Sequence, residues 1–251
     1  MCTLTIYRGK KRCVVTMNRD ERRTRKESGL LHSRTSNNNR LFYPVDVSSG
    51  GTWFGVNNQG VVLCLLNRYQ APQNASAVSR GEIIPAALAQ GGFDDIKAWL
   101  GQMPHAPYNP FDLFLVCRNQ CHHFSWDGSR YENSALDFDH WFLFSSSGIM
   151  TEEVVAFRQN FFQAWSREVG KKLTDADEIL RSFHLIQVEG MESHSPLMER
   201  ELSHTKSIIQ ADLEGKALQL KYIPQVLEKS LGAPLAEAQI ETVQVSKTIK
   251  R

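Results

Sequence analysis

A predicted β-hairpin at the start of the sequence constrains the fold more than any other feature. Residues 2–7 read Cys-Thr-Leu-Thr-Ile-Tyr, which alternates in the manner of a strand with one buried face. A basic turn over residues 8–11 follows, and residues 12–17 form a second apolar strand. The hairpin would return residues 18–20 (Asn-Arg-Asp) to the level of Cys2.

This arrangement favours a nucleophilic role for Cys2. Removal of Met1, which a small second residue normally permits, would leave Cys2 with both a thiol and an α-amine. A neutral α-amine can accept the thiol proton, so no separate histidine is needed. Arg19 would stabilise the thiolate, and Asp20 would orient the ammonium group. The alternative is a buried structural cysteine followed by a charged loop.

Composition limits the classes of protein. The chain has 251 residues, of which 41% are apolar and 22% charged, as expected for a soluble globular protein with a sizeable core. A net charge of +2 is too small to indicate a nucleic-acid partner. We find no signal peptide and no apolar run long enough to span a membrane, and therefore expect a cytoplasmic protein.

The cysteines favour a reducing compartment. Their odd number and scattered spacing do not suggest a disulfide framework. Cys117 and Cys121 have no second pair elsewhere in the chain, so we expect no zinc site and no other metal. The five cysteines are Cys2, Cys13, Cys64, Cys117 and Cys121.

Several further elements can be predicted. A long surface loop is expected over residues 27–50. A capping box of Ser79 and Glu82 would open a helix that ends at Gly91-Gly92. The other predicted elements are strands at 50–56, 61–66, 111–117, 121–126 and 141–147, helices at 93–100, 151–169 and 174–183 (capped by Thr174), a hairpin over 207–223, and an edge strand at 240–245.

Taken together, the predicted hairpins and helices indicate an α+β protein whose antiparallel sheets are covered by helices. We treat residues 1–251 as a single domain with a weakly patterned C-terminal tail from about residue 225. The partner implied by this organisation is a small molecule.

The order of several motifs resembles the NRDE family, also called the transport and Golgi organisation protein 2 family. The motifs are Met-Cys at 1–2, Asn-Arg-Asp-Glu at 18–21, Gly-Gly-Thr-Trp-Phe-Gly at 50–55, Leu-Asn-Arg-Tyr at 66–69, Ser-Arg-Gly-Glu at 79–82 and Tyr-Asn-Pro-Phe at 108–111. More remotely, the opening is similar to cysteine N-terminal-nucleophile hydrolases of the penicillin V acylase and bile salt hydrolase type. The resemblance implies a four-layer αββα sandwich.

The resemblance also implies site residues. Asn67 matches the asparagine that donates to the oxyanion in the remote amidohydrolases; the alternative is a strand-end asparagine in a turn. The chain departs from the family at residues 145–147 (Ser-Ser-Ser for Ser-Asn) and at 204–207 (His-Thr-Lys-Ser for Arg-Thr-Asn-Thr). The candidate supporting residues are Asn18, Ser146 and Lys206.

Two functions follow as hypotheses. The first is an amidohydrolase that needs no cofactor and cleaves a linear amide of a small acyl substrate through Cys2, Arg19, Asp20 and Asn67. The second is a non-catalytic haem or lipid carrier on the same fold, since the family has been linked to such handling. Haem would then be ligated by Cys2, His194 or His204.

Overall fold

The structure is a computed structural model that describes residues 2–70, 72–170, 175–226 and 239–245. Its strands form two antiparallel sheets. Hairpins predicted from the alternating patterns account for most of both sheets.

The first sheet has six strands, which are β1 (Cys2–Arg8), β2 (Arg12–Arg22), β10 (Trp141–Ser146), β11 (Ser203–Glu214), β12 (Ala217–Pro224) and β13 (Gln239–Gln244). Their order across the sheet is β10-β1-β2-β11-β12-β13. β1 lies between β2 and β10, and β2 also pairs with the long strand β11.

The second sheet has seven strands in sequence order, each paired with the next by an antiparallel ladder. Its members are β3 (Glu27–Ser36), β4 (Asn39–Asp46), β5 (Phe54–Asn57), β6 (Val62–Asn67), β7 (Phe111–Val116), β8 (Cys121–Trp126) and β9 (Tyr131–Ala135).

The main core lies between the two sheets. Leu4, Ile6 and Met17 of the first sheet join one buried cluster with Phe54 and Phe114 of the second. Alternation along β1 and β2 directs one side chain in two into this interface, which is what the amino-terminal pattern predicted.

Helices cover the outer face of each sheet. The second sheet is covered by α1 (Ile83–Leu88) and α2 (Phe93–Gln102), which bury Ile84 and Ile96 against its strands. The first sheet is covered by α3 (Thr151–Trp165), which continues as a π-helix to Gly170, and by α4 (Ala176–Ile179). The order helix, sheet, sheet, helix confirms the predicted α+β αββα sandwich.

The predicted surface loop at 27–50 is wrong, because β3 and β4 occupy most of it. β9 is a third strand that the sequence analysis did not predict. β3 and β9 are the two edges of the second sheet, and most of their residues are exposed or half-buried. An edge strand with little buried surface has no apolar alternation to detect.

The predicted capping box is also wrong. Ser79 precedes a 3₁₀ turn, Arg80–Glu82, and its side chain makes no capping hydrogen bond. Glu82 instead accepts a hydrogen bond from the Tyr108 hydroxyl at 2.9 Å. The predicted Thr174 cap lies outside the described residues; Asp175 caps α4 by accepting from two backbone amides.

The C-terminal region bears out one prediction. The edge strand expected at 240–245 is β13, which pairs with β12. Residues 227–238 and 246–251 of the predicted tail lie outside the described part of the chain. Within the described ranges, no helix has the length and apolar character needed to cross a membrane.

Candidate functional site

The first sheet brings the predicted site residues to one end of the molecule. Cys2 pairs with Arg19 on β2 and with Ser146 on β10. The hairpin therefore returns Arg19 to the level of Cys2, as the sequence predicted. Asp20 follows Arg19 and pairs with Thr205 on β11.

A cavity of about 480 Å³ opens over this end of the sheet. We call it the Cys2 cavity. Four predicted residues line it: Cys2, Arg19, Asp20 and Asn67. Its wall also contains Glu21, Arg25, Asp46, Ser48, Ser49, Thr52, Trp53, Leu65, Ala75, Ala77, Val78, Ser79, Arg80, Gly81 and Asn109.

Arg19 is held by two carboxylates and a ring. Its guanidinium donates to Glu27 at 2.6 Å and to Asp46 at 2.5 Å, and it lies 4.2 Å from the centre of the Trp53 ring. Asp46 also accepts from Arg25 at 2.7 Å. Because these acids compensate its charge, Arg19 is a fixed and largely neutralised cation beside Cys2.

Asp20 is held by an arginine that the sequence reading missed. Arg158 of α3 donates through Nη2 to Asp20 Oδ2 at 2.9 Å, and Thr205 Oγ1 donates to Asp20 Oδ1 at 2.7 Å. The sequence could have indicated a buried role for Arg158, because this residue lies four positions after Val154 and four before Phe162, within the buried stripe of α3. A charged residue in an apolar helical stripe needs a buried partner.

Burial dominates the state of the Cys2 thiol. The residue is 7% exposed, and desolvation raises the thiol pKa. The charge of Asp20 raises this pKa further, whereas the charge of Arg19 lowers it. The resting thiol is therefore protonated at neutral pH, and a nucleophilic role would require a proton acceptor.

Asn67 ends β6 at the cavity wall. Its Nδ2 donates to the Tyr69 hydroxyl at 3.1 Å. The second N–H of this amide has no partner among the described residues, so it is available as a donor. Its suggested role at an oxyanion stays a prediction.

The three supporting candidates do not line the Cys2 cavity. Asn18 lies on the helix-covered face, where it donates to the carbonyls of His184 and Pro196. Lys206 donates to the carbonyl of Arg23 at 3.1 Å. Ser146 pairs with Cys2, and its buried Oγ has no hydrogen-bond partner among the described residues.

Neither of the two histidines suggested for haem lines the cavity. His194 Nδ1 is 2.8 Å from Ser193 Oγ, and His204 Nδ1 is 2.9 Å from Arg23 Nη1. Haem binding stays a prediction. Among the residues that the structure describes, no group of three His, Cys, Asp or Glu side chains is arranged to hold a metal ion.

Two helix-covered antiparallel sheets, with a cysteine of the first strand facing a cavity, define an N-terminal-nucleophile-hydrolase-like fold. Residues 1–222 match the family described as Transport and Golgi organisation 2, so the chain belongs to that family, as its motifs predicted. No match to the sequence is found among curated proteins.

Three solved structures with this fold are distant from this chain in sequence. An N-acylethanolamine-hydrolyzing acid amidase ortholog from Caenorhabditis elegans has 10% identity and a TM-score of 0.57, covering 83% of this chain and 92% of its own. A mutant conjugated bile acid hydrolase from Clostridium perfringens has 10% identity and a TM-score of 0.56 (99% and 98%). Penicillin V acylase from Agrobacterium tumefaciens has 10% identity and a TM-score of 0.52 (98% and 87%). At such identities the similarity establishes the fold.

Proposed function

We propose that this protein hydrolyses a linear amide of a small acyl substrate, with Cys2 as the nucleophile. The observation that carries the proposal is the position of Cys2 on the first strand, at the wall of a cavity that Arg19, Asp20 and Asn67 also line. The three solved structures are named as an amidase, a hydrolase and an acylase. The clostridial one carries an alanine in place of a cysteine at its own second position.

The reaction divides into acylation and hydrolysis. Once Met1 is removed, the α-amine of Cys2 takes the thiol proton while Sγ attacks the amide carbonyl carbon. The tetrahedral intermediate collapses, the C–N bond breaks, and the α-amine passes its proton to the leaving amine. Water then attacks the thioester with the amine as base, which releases a carboxylic acid and restores the thiol.

The surrounding groups have distinct roles in this proposal. The free N–H of Asn67 would donate to the oxyanion. Asp20, fixed by Arg158 and Thr205, would orient the α-ammonium group. Arg19 would counter part of the cost of ionising a buried thiol, because its charge lowers the pKa of Cys2.

The size of the cavity favours a small substrate. A volume of about 480 Å³ lies within the range of roughly 300–1,000 Å³ that is typical of small-molecule sites. Its wall is mostly polar or charged, and Trp53, Leu65 and Val78 provide apolar surface for a short acyl chain.

The test is amine release from a panel of N-acyl amides. The wild-type protein should release amine, and Cys2→Ala should lower the rate to background, since no other nucleophile replaces the thiol. Cys117→Ala is the matched control, because Cys117 is a half-buried cysteine outside the cavity lining. Full activity of Cys2→Ala would refute the proposal.

A further inference from the structure

The three arginines that line the Cys2 cavity differ in their partners. Arg19 and Arg25 each donate to a carboxylate, that of Asp46. Arg80 donates through Nη1 to the carbonyl of Pro110 at 2.6 Å and makes a long contact of 3.5 Å with Gln73 Oε1. Within the described parts of the chain, Arg80 has no carboxylate partner and its Nε and Nη2 make no hydrogen bond.

The acids of the cavity are already engaged. Asp46 accepts from Arg19 and Arg25, and Asp20 accepts from Arg158. Glu21 lies 3.7 Å from Arg19 and 3.9 Å from Arg25. Among the three arginines of the cavity wall, Arg80 is therefore the one that forms no ion pair with a described acid.

The backbone that carries Arg80 is fixed. Thr52 N donates to the carbonyl of Gly81 at 3.0 Å. Gly81 and Gly51 approach so closely that a Cβ on Gly51 would lie 2.7 Å from the Gly81 backbone. The Ser-Arg-Gly-Glu motif at 79–82 thus holds the backbone of Arg80 in a fixed position at the wall of the cavity that Cys2 also lines.

The Arg80 guanidinium is partly removed from water. Burial is the main cause that lowers its pKa, and the charge of Arg25 also lowers it, whereas the charges of Tyr69 and Glu21 raise it. An arginine stays protonated at any physiological pH. Burying a cation without a counter-ion is unfavourable, and a bound anion would relieve that cost. The free Nε and Nη2 can form the bidentate pair that guanidinium makes with carboxylate or phosphate.

We propose that Arg80 binds an anionic group of the substrate, so that the Cys2 cavity selects amides bearing a carboxylate or a phosphate over neutral amides. The inference rests on the proposed function for the reaction, but its binding step can be measured without turnover. Arg80 acts here as a specificity-determining residue.

The experiment measures affinity by calorimetry in a Cys2→Ala background, in which no probe is turned over. Three probes share one acyl chain: N-octanoylglycine, N-octanoyl phosphoethanolamine and the neutral N-octanoylglycinamide. The anionic probes should bind at least about 10-fold more tightly than the neutral one, the scale of one charge-assisted pair. The two anionic probes separate carboxylate from phosphate as the preferred group.

Three variants assign the preference to Arg80. Arg80→Gln should weaken both anionic probes by about 10- to 100-fold and leave the neutral probe unchanged. Arg80→Lys should restore only part of the affinity, because an ammonium group cannot form the bidentate pair. Arg130→Gln removes an exposed arginine paired with Glu132 outside the cavity and should change nothing.

The outcomes separate this inference from the proposed function. Equal affinities for charged and neutral probes, no detectable binding of any probe, or an unchanged Arg80→Gln variant would overturn the role of Arg80. Anion-selective binding in a wild-type protein that hydrolyses no amide would retain Arg80 and refute the hydrolase proposal. Amide hydrolysis without anion preference would do the reverse.

Discussion

Arg158 Nη2 lies 2.9 Å from Asp20 Oδ2, and neither side chain is exposed to solvent. The other donors of this guanidinium are also used. They bind Thr3 Oγ1, Ser145 Oγ and the carbonyls of His194 and Ser195. Arg158 therefore ties α3 to the strands that carry Cys2, Asp20 and Ser146, from the face of the sheet opposite the inter-sheet core.

Loss of this arginine should destabilise the protein strongly. Arg158→Met removes the cation that pairs with the buried Asp20 carboxylate, and we expect the free energy of unfolding to fall by about 3–5 kcal/mol. Urea denaturation monitored by circular dichroism measures the change. Arg167→Met, at an exposed position just beyond α3, should change stability by less than about 0.5 kcal/mol. Equal stabilities of the two variants would contradict this account.

His184 should make stability depend on pH. It is fully buried, with Nδ1 2.6 Å from Asn18 Oδ1 and Nε2 2.6 Å from Thr5 Oγ1. Burial lowers its pKa to about 3, whereas an unfolded histidine has a pKa of about 6.5. Between these values the unfolded chain binds a proton that the folded chain does not. Stability should thus fall as pH falls below about 6.5, by about 1.4 kcal/mol per pH unit from this group.

The contribution of His184 can be isolated with a variant. His184→Gln removes the titrating ring, so its unfolding free energy should lose less between pH 6.5 and pH 4.5 than that of the wild type. Urea denaturation at several pH values in this interval gives both slopes. Identical slopes would show that His184 is not the source of the dependence.

Two charges near Cys2 should alter its reactivity in opposite directions. Arg19→Gln removes a charge that lowers the pKa of the Cys2 thiol, so alkylation by iodoacetamide at pH 7.5 should slow severalfold. Glu21→Gln removes a charge that raises this pKa, and alkylation should accelerate severalfold. Peptide mapping by mass spectrometry gives the rate for each cysteine. The rate at Cys117 is the internal control and should be the same in both variants.

The contact between Gly51 and Gly81 should not tolerate a side chain. A Cβ on Gly81 would lie 2.8 Å from Thr52 N and 2.9 Å from Gly51 Cα, so Gly81→Ala must displace backbone. We expect Gly81→Ala to lower the free energy of unfolding, measured by thermal denaturation, by about 1–3 kcal/mol. Gly29→Ala on β3 is the control, because nothing lies within 4 Å of its Cβ position and its stability should match that of the wild type. A Gly81→Ala protein as stable as the Gly29→Ala protein would argue against a fixed backbone position for Arg80.

The sequence predicted what depends on local patterns. Alternation over residues 2–17 was enough to pair Cys2 with Arg19, and the family motifs supplied the sandwich. β3 and β9 were missed, because edge strands need little apolar surface on either face. β4 was missed as well, although it is an inner strand whose Leu41, Phe42 and Tyr43 are buried.

Contacts distant in sequence were beyond a pattern-based reading. Arg158 and Asp20 are 138 positions apart, and Arg19 is neutralised by Asp46 from a segment that was expected to be a loop. The face on which Asn18 lies was likewise decided by its contacts with His184 and Pro196. Such pairings depend on the tertiary arrangement of the sheets and α3 rather than on any local period.

In the proposed reaction, Cys2 forms a covalent acyl intermediate. The most direct test is the intact mass of purified protein after brief exposure to p-nitrophenyl octanoate and an acid quench, followed by peptide mapping. We predict a protein without Met1 that carries one octanoyl group on Cys2, and no such adduct in Cys2→Ala. Retained Met1, acylation spread evenly over the five cysteines, or equal acylation of Cys2→Ala would contradict the account.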